Sequence, residues 1–378
     1  MGLALKDVKL AGRHVELAWS NGRAGDRFSL LWLKDHCPSP KCLHPDTRQR
    51  QIDTSAIPED IAASAVALEE NGRVLRVDWA PERLGDAHVS RFDANFLASL
   101  LPANRGRPRR VLWNAAEIAG KVPTVEYNAV MAANDETGLK LWLELVEAYG
   151  FCVVAGTPAT PEATKALMER VAYIRETIFG GFWDFTANME HKDTAYTTLA
   201  IGPHTDGTYS FDAPGYQMLH CLAFNGTGGE NVFVDGFKIA DIMQRDHAAD
   251  YRTLTELEIT GQYIDLDRNV HLQATRPLFR LNKAGELVQV SYNNYDRAPF
   301  YLPAEETEAL YRALKVFASC ANDPALQYRR RLAPGDAVLF DNWRALHARD
   351  AYSGYRRLCG AYLNKEDVES RLRVLRSR

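Results

Sequence analysis

Cysteine is scarce in this sequence, with six in 378 residues. That density excludes a scaffold built on disulfides, and Cys152, Cys221, Cys320 and Cys359, each in an apolar setting, read as core filling. An excess of either charge is also lacking. With 45 basic and 49 acidic residues the net charge is −4, so the basic surface that nucleic-acid binding requires is not expected. No apolar run nears the roughly 18 residues of a membrane helix. Met1–Asp7 holds no apolar leader, and Lys6 stands where a myristoylation signal has Ser or Thr. The expectation is a cytoplasmic protein with neither nucleic-acid nor membrane partners. Low-complexity tracts and internal repeats are absent as well. What is present suffices for a sizeable core, since 46% of residues are hydrophobic. At roughly 150 residues per domain the length suggests two domains, or one large domain with an appendage.

The first 30 residues alternate apolar and polar positions, as in Val15, Leu17 and Trp19 and again in Phe28, Leu30 and Trp32; this is strand periodicity. Arg73–Trp79 repeats it after Asn71-Gly72, a hairpin signal. A Pro-, Gly- and Arg-rich stretch at 102–110 reads as a solvated linker. The expected domains are therefore a small β-rich unit at 1–105 and a larger one at 106–378. In the latter, 135–149 has an apolar helical face (Leu139, Trp142, Leu143, Val146, Tyr149) stopped by Gly150. Phe151–Val154 suits a buried strand. Thr160-Pro161 opens a second helix with the stripe Leu167, Val171 and Ile174. Beyond residue 195, short strands are expected at 196–201, 216–223, 231–235, 256–264, 276–282, 287–292, 336–341 and 357–363, interrupted by a helix near 304–320. Many short strands between Gly and Pro turns argue for a sandwich or jelly roll rather than a parallel sheet.

His204-Thr205-Asp206 carries the most chemistry. Alternate side chains leave a strand on the same side, so an imidazole and a carboxylate two residues apart can converge on one metal. Alone the tripeptide says little, because surface loops contain it too. A third ligand must come from elsewhere, and His347 is the best placed, after Leu339–Leu346, which reads as a strand running into a turn. His220 and His271 are rivals; His220 sits in an apolar strand and reads as a hydrogen-bonded core residue, while His271 lies in a polar stretch without strand support. Two imidazoles and one carboxylate leave half an octahedron open, the ligand set of non-haem Fe(II) that activates O2. Arg356, on the next expected strand, offers a guanidinium for the distal carboxylate of a chelating co-substrate.

These segments carry a resemblance. Ile174–Gly180, Asp193–Ala200, His204–Tyr209, Gly228-Gly229 with Val234–Phe237, Tyr292–Arg297, Asp341–His347 and Gly354–Leu363 together resemble the γ-butyrobetaine/trimethyllysine dioxygenase family of Fe(II)/2-oxoglutarate-dependent oxygenases, most of all its trimethyllysine branch. The likeness runs through nearly the whole chain. It implies a mainly β fold with flanking helices: a double-stranded β-helix (jelly-roll) catalytic domain and a small strand-rich N-terminal domain. It implies Fe(II) held by His204, Asp206 and His347, 2-oxoglutarate gripped by Arg356, O2 as oxidant, ascorbate as reductant and a homodimer. Arg357 would point the opposite way along its strand. The implied reaction is hydroxylation of N6-trimethyllysine to 3-hydroxy-N6-trimethyllysine with release of succinate and CO2, within carnitine biosynthesis.

The trimethylammonium group of such a small-molecule substrate donates no hydrogen bond and is held by aromatic faces. The resemblance assigns that cage to Phe179, Trp183, Tyr196 and Tyr362; Phe182 reads as core. Relatives often have Tyr at the first position, and Phe179 keeps the ring without the hydroxyl. Asp193 stands where hydroxylases of γ-butyrobetaine tend to have Asn. An acid there suits the protonated α-amino group of trimethyllysine, although it would equally cap a turn before Thr194. Asn293, Tyr209 and Arg297 are candidate partners for the α-carboxylate.

Cys37 and Cys42 are separated by four residues, within the range of structural zinc sites. The resemblance adds His88 to a candidate Zn(II) site, with Ser39 where several relatives have a further Cys. His36 and His44 are candidate fourth ligands, and a loop of buried free thiols is the plainer reading. Two alternatives to trimethyllysine hydroxylation stay open. One is hydroxylation of γ-butyrobetaine or another trimethylammonium compound such as a trimethylaminoethylphosphonate. The other is a non-catalytic methylammonium-binding protein, which would have no need of the triad.

Overall fold

Val15, Leu17 and Trp19 bury one face of strand His14–Trp19, which lies between Leu5–Ala11 and Ala24–Ser29. Leu75, Val77 and Trp79 do the same for Val74–Trp79, between Ala63–Glu69 and Val89–Asp93. The computed structural model describes residues 3–81, 87–101, 110–186 and 197–378, and the chain divides into two compact units, 1–107 and 108–378. In the first unit the two three-stranded antiparallel sheets contribute to one core that includes Trp19, Leu75, Trp79 and Phe92. The Asn71-Gly72 turn spans four residues, because Glu69 pairs with Val74; Asn71 and Gly72 adopt left-handed backbone at φ 56° and 80°. One expected strand is a helix. The alternation through Leu30 and Trp32 gives way to helix Leu30–Asp35, whose spacing buries Leu30 and Leu33 together and lays Trp32 on His36 with ring centres 4.1 Å apart.

The second unit is built on two facing sheets. The larger has seven strands: Phe182–Phe185, Tyr352–Leu363, Tyr216–Gly228, Ala337–Asp341, Phe151–Ala155 and Thr124–Glu126 in that order, with Ile174–Arg175 also pairing Tyr352–Leu363. The smaller runs Ile201–His204, Ala345–Arg349, Asn231–Asp235, Gln327–Arg330. Tyr216–Gly228 and Asn231–Asp235 are consecutive in sequence but belong to different sheets, as are Ala337–Asp341 and Ala345–Arg349. This alternation between two mainly antiparallel sheets is jelly-roll topology. The inner faces meet through Phe151, Phe233, Tyr328, Val338, Phe340 and Leu358. Phe151 of the large sheet stacks on Phe233 of the small one at 5.4 Å.

Helices cover both outer faces. Thr137–Tyr149, Pro161–Glu169 and Lys365–Ser377 bury their stripes on the large sheet. Gly236–Asp246, Ala248–Glu256 and Ala304–Ala321 do so on the small one. Buried Arg344, in the connection between Ala337–Asp341 and Ala345–Arg349, pairs both its Nε and Nη2 with Asp235 at 3.0 and 2.8 Å and donates to the carbonyls of Val111 and Ala148. Removing one partner of such a pair leaves a buried charge, at a cost of about 3–5 kcal/mol.

Several expected boundaries move. The helix opened by Thr160 ends at Glu169, and Ile174 instead begins a short strand pairing Leu363. The strand expected at 196–201 is Ile201–His204; residue 196 lies outside the described residues, as does most of the expected linker (102–109). Strands Val270–Pro277, Gln327–Arg330 and Ala345–Arg349 were not expected. The last is buried on both faces, so no alternation marks it. His271 therefore does have strand support, in the two-stranded Glu258–Asp265/Val270–Pro277 hairpin. Cys152, Cys221 and Cys359 are buried, whereas Cys320 is half-buried.

Candidate active site

Strand pairing brings the two histidines of the candidate triad together. His204 ends Ile201–His204 and is the register partner of His347 on Ala345–Arg349; their rings lie 4.2 Å apart. Asp206 follows after one residue, and its carboxylate sits 3.3 Å from His204 Nε2 and 3.6 Å from His347 Nε2. His204 Nδ1 donates to the Gly202 carbonyl at 2.8 Å, which turns Nε2 toward Asp206. Asn342 fixes the Asp206 backbone from both sides. Its Oδ1 accepts from Asp206 N at 2.8 Å, and its Nδ2 donates to Asp206 O at 3.0 Å and Pro214 O at 2.9 Å. Gly207 takes φ 69°, and a Cβ there would fall 2.5 Å from Pro214 Cδ, so the turn after Asp206 requires glycine.

Electrostatics agree with a cation-binding set. Burial would raise the Asp206 carboxyl, but His347, His204 and the Tyr362 hydroxyl outweigh it and hold the group well below the carboxylate range. Burial would lower His204, and Asp206 raises it instead. His347 is pushed down to about 3 by burial and then by His204, so its imidazole is neutral at pH 7. Its buried Nδ1 has no hydrogen-bond partner among the described residues. The three donors lie within 4.8 Å of one another. Two nitrogens and a carboxylate oxygen at that spacing fit a first-row divalent ion, and the chemistry of the set suits Fe(II).

The triad opens onto a cavity of about 170 Å³. Arg356, Phe179, Trp183, Tyr209, Asn293 and Tyr362, all singled out in the sequence, line it. Asp193 and Tyr196 lie outside the described residues. Tyr362 donates from its hydroxyl to Asp206 Oδ2 at 2.8 Å and meets Trp183 edge-on at 6.1 Å. Gly360, on the same strand, permits this packing. A Cβ there would collide with the Met218 carbonyl and the Trp183 ring. Phe182 points the other way, into the helix-covered face.

Arg356 is buried and donates to Asn231 Oδ1 at 3.3 Å; burial and then Arg349 bring it down to about 10, still charged at pH 7. Arg357 faces the other side and pairs with Asp184 at 2.5 Å. Arg297 does not join the site, since its guanidinium lies over Tyr311. His220 also stays out, bonded to Thr164 Oγ1 at 2.6 Å in the core. Sequence reasoning missed Asn342 and Asp296, the latter also in the cavity lining. Both sit inside the quoted segments Asp341–His347 and Tyr292–Arg297, but an Asn or Asp in a turn announces no particular partner.

In the first unit Cys37 Sγ and Cys42 Sγ lie 3.2 and 3.5 Å from His88 Nε2. Burial, Lys34 and Lys41 push His88 below its ordinary range, keeping the imidazole neutral. Among the described residues neither candidate fourth ligand joins them. His36 bonds Trp32 O and Arg50, and His44 Nδ1 accepts from the backbone of Asp46 and Thr47.

The sequence pattern of the taurine catabolism dioxygenase TauD, TfdA family matches residues 109–362. The chain belongs to this family. A second pattern, gamma-butyrobetaine hydroxylase-like, N-terminal, matches residues 7–98. The trimethyllysine dioxygenase of Meyerozyma guilliermondii is 34% identical, over 96% of this chain and 94% of that one. The gamma-butyrobetaine dioxygenase of a Pseudomonas species is 33% identical, over 96% and 93%. A crystal structure of a taurine dioxygenase from Burkholderia xenovorans shares the fold, with a TM-score of 0.50 at 15% identity, covering 65% of this chain and 88% of that one. This TauD, TfdA family member is a 2-oxoglutarate-dependent dioxygenase.

Proposed function

We propose that the chain hydroxylates N6-trimethyllysine to 3-hydroxy-N6-trimethyllysine while 2-oxoglutarate and O2 are converted to succinate and CO2, a step of carnitine biosynthesis. The observation that carries this reading is one cavity lined at once by His204, Asp206 and His347, by Arg356, and by the rings of Phe179, Trp183 and Tyr362. Identity of 34% to a trimethyllysine dioxygenase over almost the whole chain supports it.

His204, Asp206 and His347 hold Fe(II), which supplies the oxygen-activating chemistry when bound. The remaining work belongs to the chain. Buried Arg356 keeps its charge and pairs in bidentate fashion with the distal carboxylate of 2-oxoglutarate. Trp183 and Tyr362, with Phe179 and Tyr196, offer aromatic faces to the trimethylammonium group and exclude water around it. Tyr362 also donates to Asp206, so the cage and the metal ligands are held as one unit. Asp193 pairs with the α-amino group, and Tyr209 and Asn293 meet the α-carboxylate. Fixing both ends of the substrate determines which carbon stands at the reacting centre.

Hydroxylation of γ-butyrobetaine is the second reading, favoured by 33% identity to the Pseudomonas enzyme. A non-catalytic binder would not need a neutral His347 facing an ionised Asp206. We further propose ascorbate as reductant, a cytoplasmic location, a homodimer, and Zn(II) on Cys37, Cys42 and His88, whose converging thiol and imidazole donors suit that ion. Among the described residues no helix is long and apolar enough to cross a membrane. The test is incubation with Fe(II), ascorbate and 2-oxoglutarate, offering trimethyllysine and γ-butyrobetaine separately. Succinate release and a gain of one oxygen on trimethyllysine are expected. Preference for γ-butyrobetaine would select the second reading, and inertness toward both would contradict the first two.

A further inference from the structure

The described lining of the cavity contains two acids, Asp206 and Asp296. Asp206 belongs to the triad. Asp296 comes from the loop that follows strand Leu287–Val290, and it is held firmly in place. Its Oδ2 accepts from Asn293 Nδ2 at 2.8 Å and from Thr208 Oγ1 at 3.3 Å, and its carbonyl accepts from Gln262 N at 2.7 Å. Thr208 is two residues beyond Asp206, so the loop bearing the metal-binding carboxylate also steadies this second one. The cavity's cations, Arg349 and Arg356, come from strands Ala345–Arg349 and Tyr352–Leu363, and Tyr209, Tyr263, Tyr295 and Asn293 supply neutral polar groups. Once Asp206 is committed to a metal and Arg356 to a dicarboxylate, Asp296 is the remaining acid in this lining.

We propose that Asp296 is a specificity-determining residue that receives the α-ammonium group of an amino-acid substrate. This assignment rests on the trimethyllysine reading and deepens it. A carboxylate fixed in a cavity of this size acts in both directions. It attracts a substrate whose terminal carboxylate is accompanied by an ammonium group, and it repels one whose terminus is a carboxylate alone. Asn293, already bonded to Asp296, stands next to it to meet the neighbouring α-carboxylate. Asp296 thus adds to any contribution from Asp193, and both act by charge rather than by shape.

The test compares N6-trimethyllysine with the analogue of the same length that lacks only the α-amino group, using the full-length enzyme and Asp296→Asn. Wild type is expected to prefer trimethyllysine. Asp296→Asn should lose about tenfold or more in kcat/KM on trimethyllysine, mostly through KM, and keep or improve its turnover of the analogue. Retained turnover of the analogue also shows that the variant is folded. Equal losses on both compounds, or no change on either while Asp193→Asn alone shifts the preference, would overturn the assignment. A wild type that turns over both without distinction defeats it and leaves the trimethylammonium reading standing; one that turns over neither defeats both.

Discussion

His204 and His347 are direct register partners, with ring centres 4.2 Å apart on adjacent antiparallel strands. The candidate iron site therefore depends on strand pairing, which fixes the two imidazoles, and on a turn, which must deliver Asp206 to them. That division of labour sets the weak point of the site at the turn.

Asn342 is the residue that holds the turn, with three hydrogen bonds to Asp206 and Pro214. Asn342→Ala should weaken Fe(II) binding by about ten- to a hundredfold, as loss of groups that orient metal ligands does. Anaerobic metal titration measures this. Unchanged affinity would show that Gly207 and Pro214 shape the turn unaided.

The two adjacent arginines should separate cleanly. Arg356→Lys keeps the charge but loses the fork, and is expected to raise KM for 2-oxoglutarate by about tenfold or more with little effect on KM for trimethyllysine. Arg357→Ala breaks only the outward pair with Asp184 and should leave both constants alone. Steady-state kinetics with each compound varied in turn would show it, and a reversed pattern would place the wrong arginine in the cavity.

Gly360→Ala should act on the cage at a distance from the metal. The new methyl group collides with the Met218 carbonyl and the Trp183 ring, so Trp183 must move. A destabilisation of about 1–3 kcal/mol is expected, together with a raised KM for trimethyllysine and an unchanged affinity for Fe(II). Thermal melting and kinetics check the two parts, and an unaltered KM would remove Trp183 from substrate binding.

Much of this site was legible because its chemistry is local in sequence. His204 and Asp206 are two residues apart, at the end of strand Ile201–His204 and in the turn that follows it, and the seven quoted segments together point to one family. The strand that carries His347 was not legible as a strand. Ala345–Arg349 is short and packed on both faces, so it shows no alternation. Leu30–Asp35 misled in the opposite way, since two apolar steps of a strand pattern ran into a helix whose burial follows Leu30 and Leu33. Asp296 and Asn342 stayed hidden because their roles come from partners distant in sequence, Thr208 and Asp206.

His220 links the core to pH. Burial lowers it to about 4 from its ordinary 6.5, so as pH falls the unfolded chain takes up its proton first. The stability it contributes is complete above pH 6.5 and is lost between 6.5 and about 4, to the extent of about 3 kcal/mol. His220→Gln should flatten that part of the stability curve. Urea unfolding at pH 7.5 and pH 5, choices that bracket most of this window, reads the difference; an equal acid loss in wild type and variant would assign it to other groups.

The central claim is that His204, Asp206 and His347 bind one ferrous ion with positions left open for 2-oxoglutarate. Anaerobic titration of the protein with Fe(II) in the presence of 2-oxoglutarate tests it most directly, read by the visible charge-transfer absorption of the chelate. One ion per chain with that absorption in the wild type, and its loss in His347→Ala and Asp206→Ala variants that keep the wild-type circular dichroism, is the predicted result. Absorption that persists in those variants, or a folded wild type that never develops it, would contradict the account.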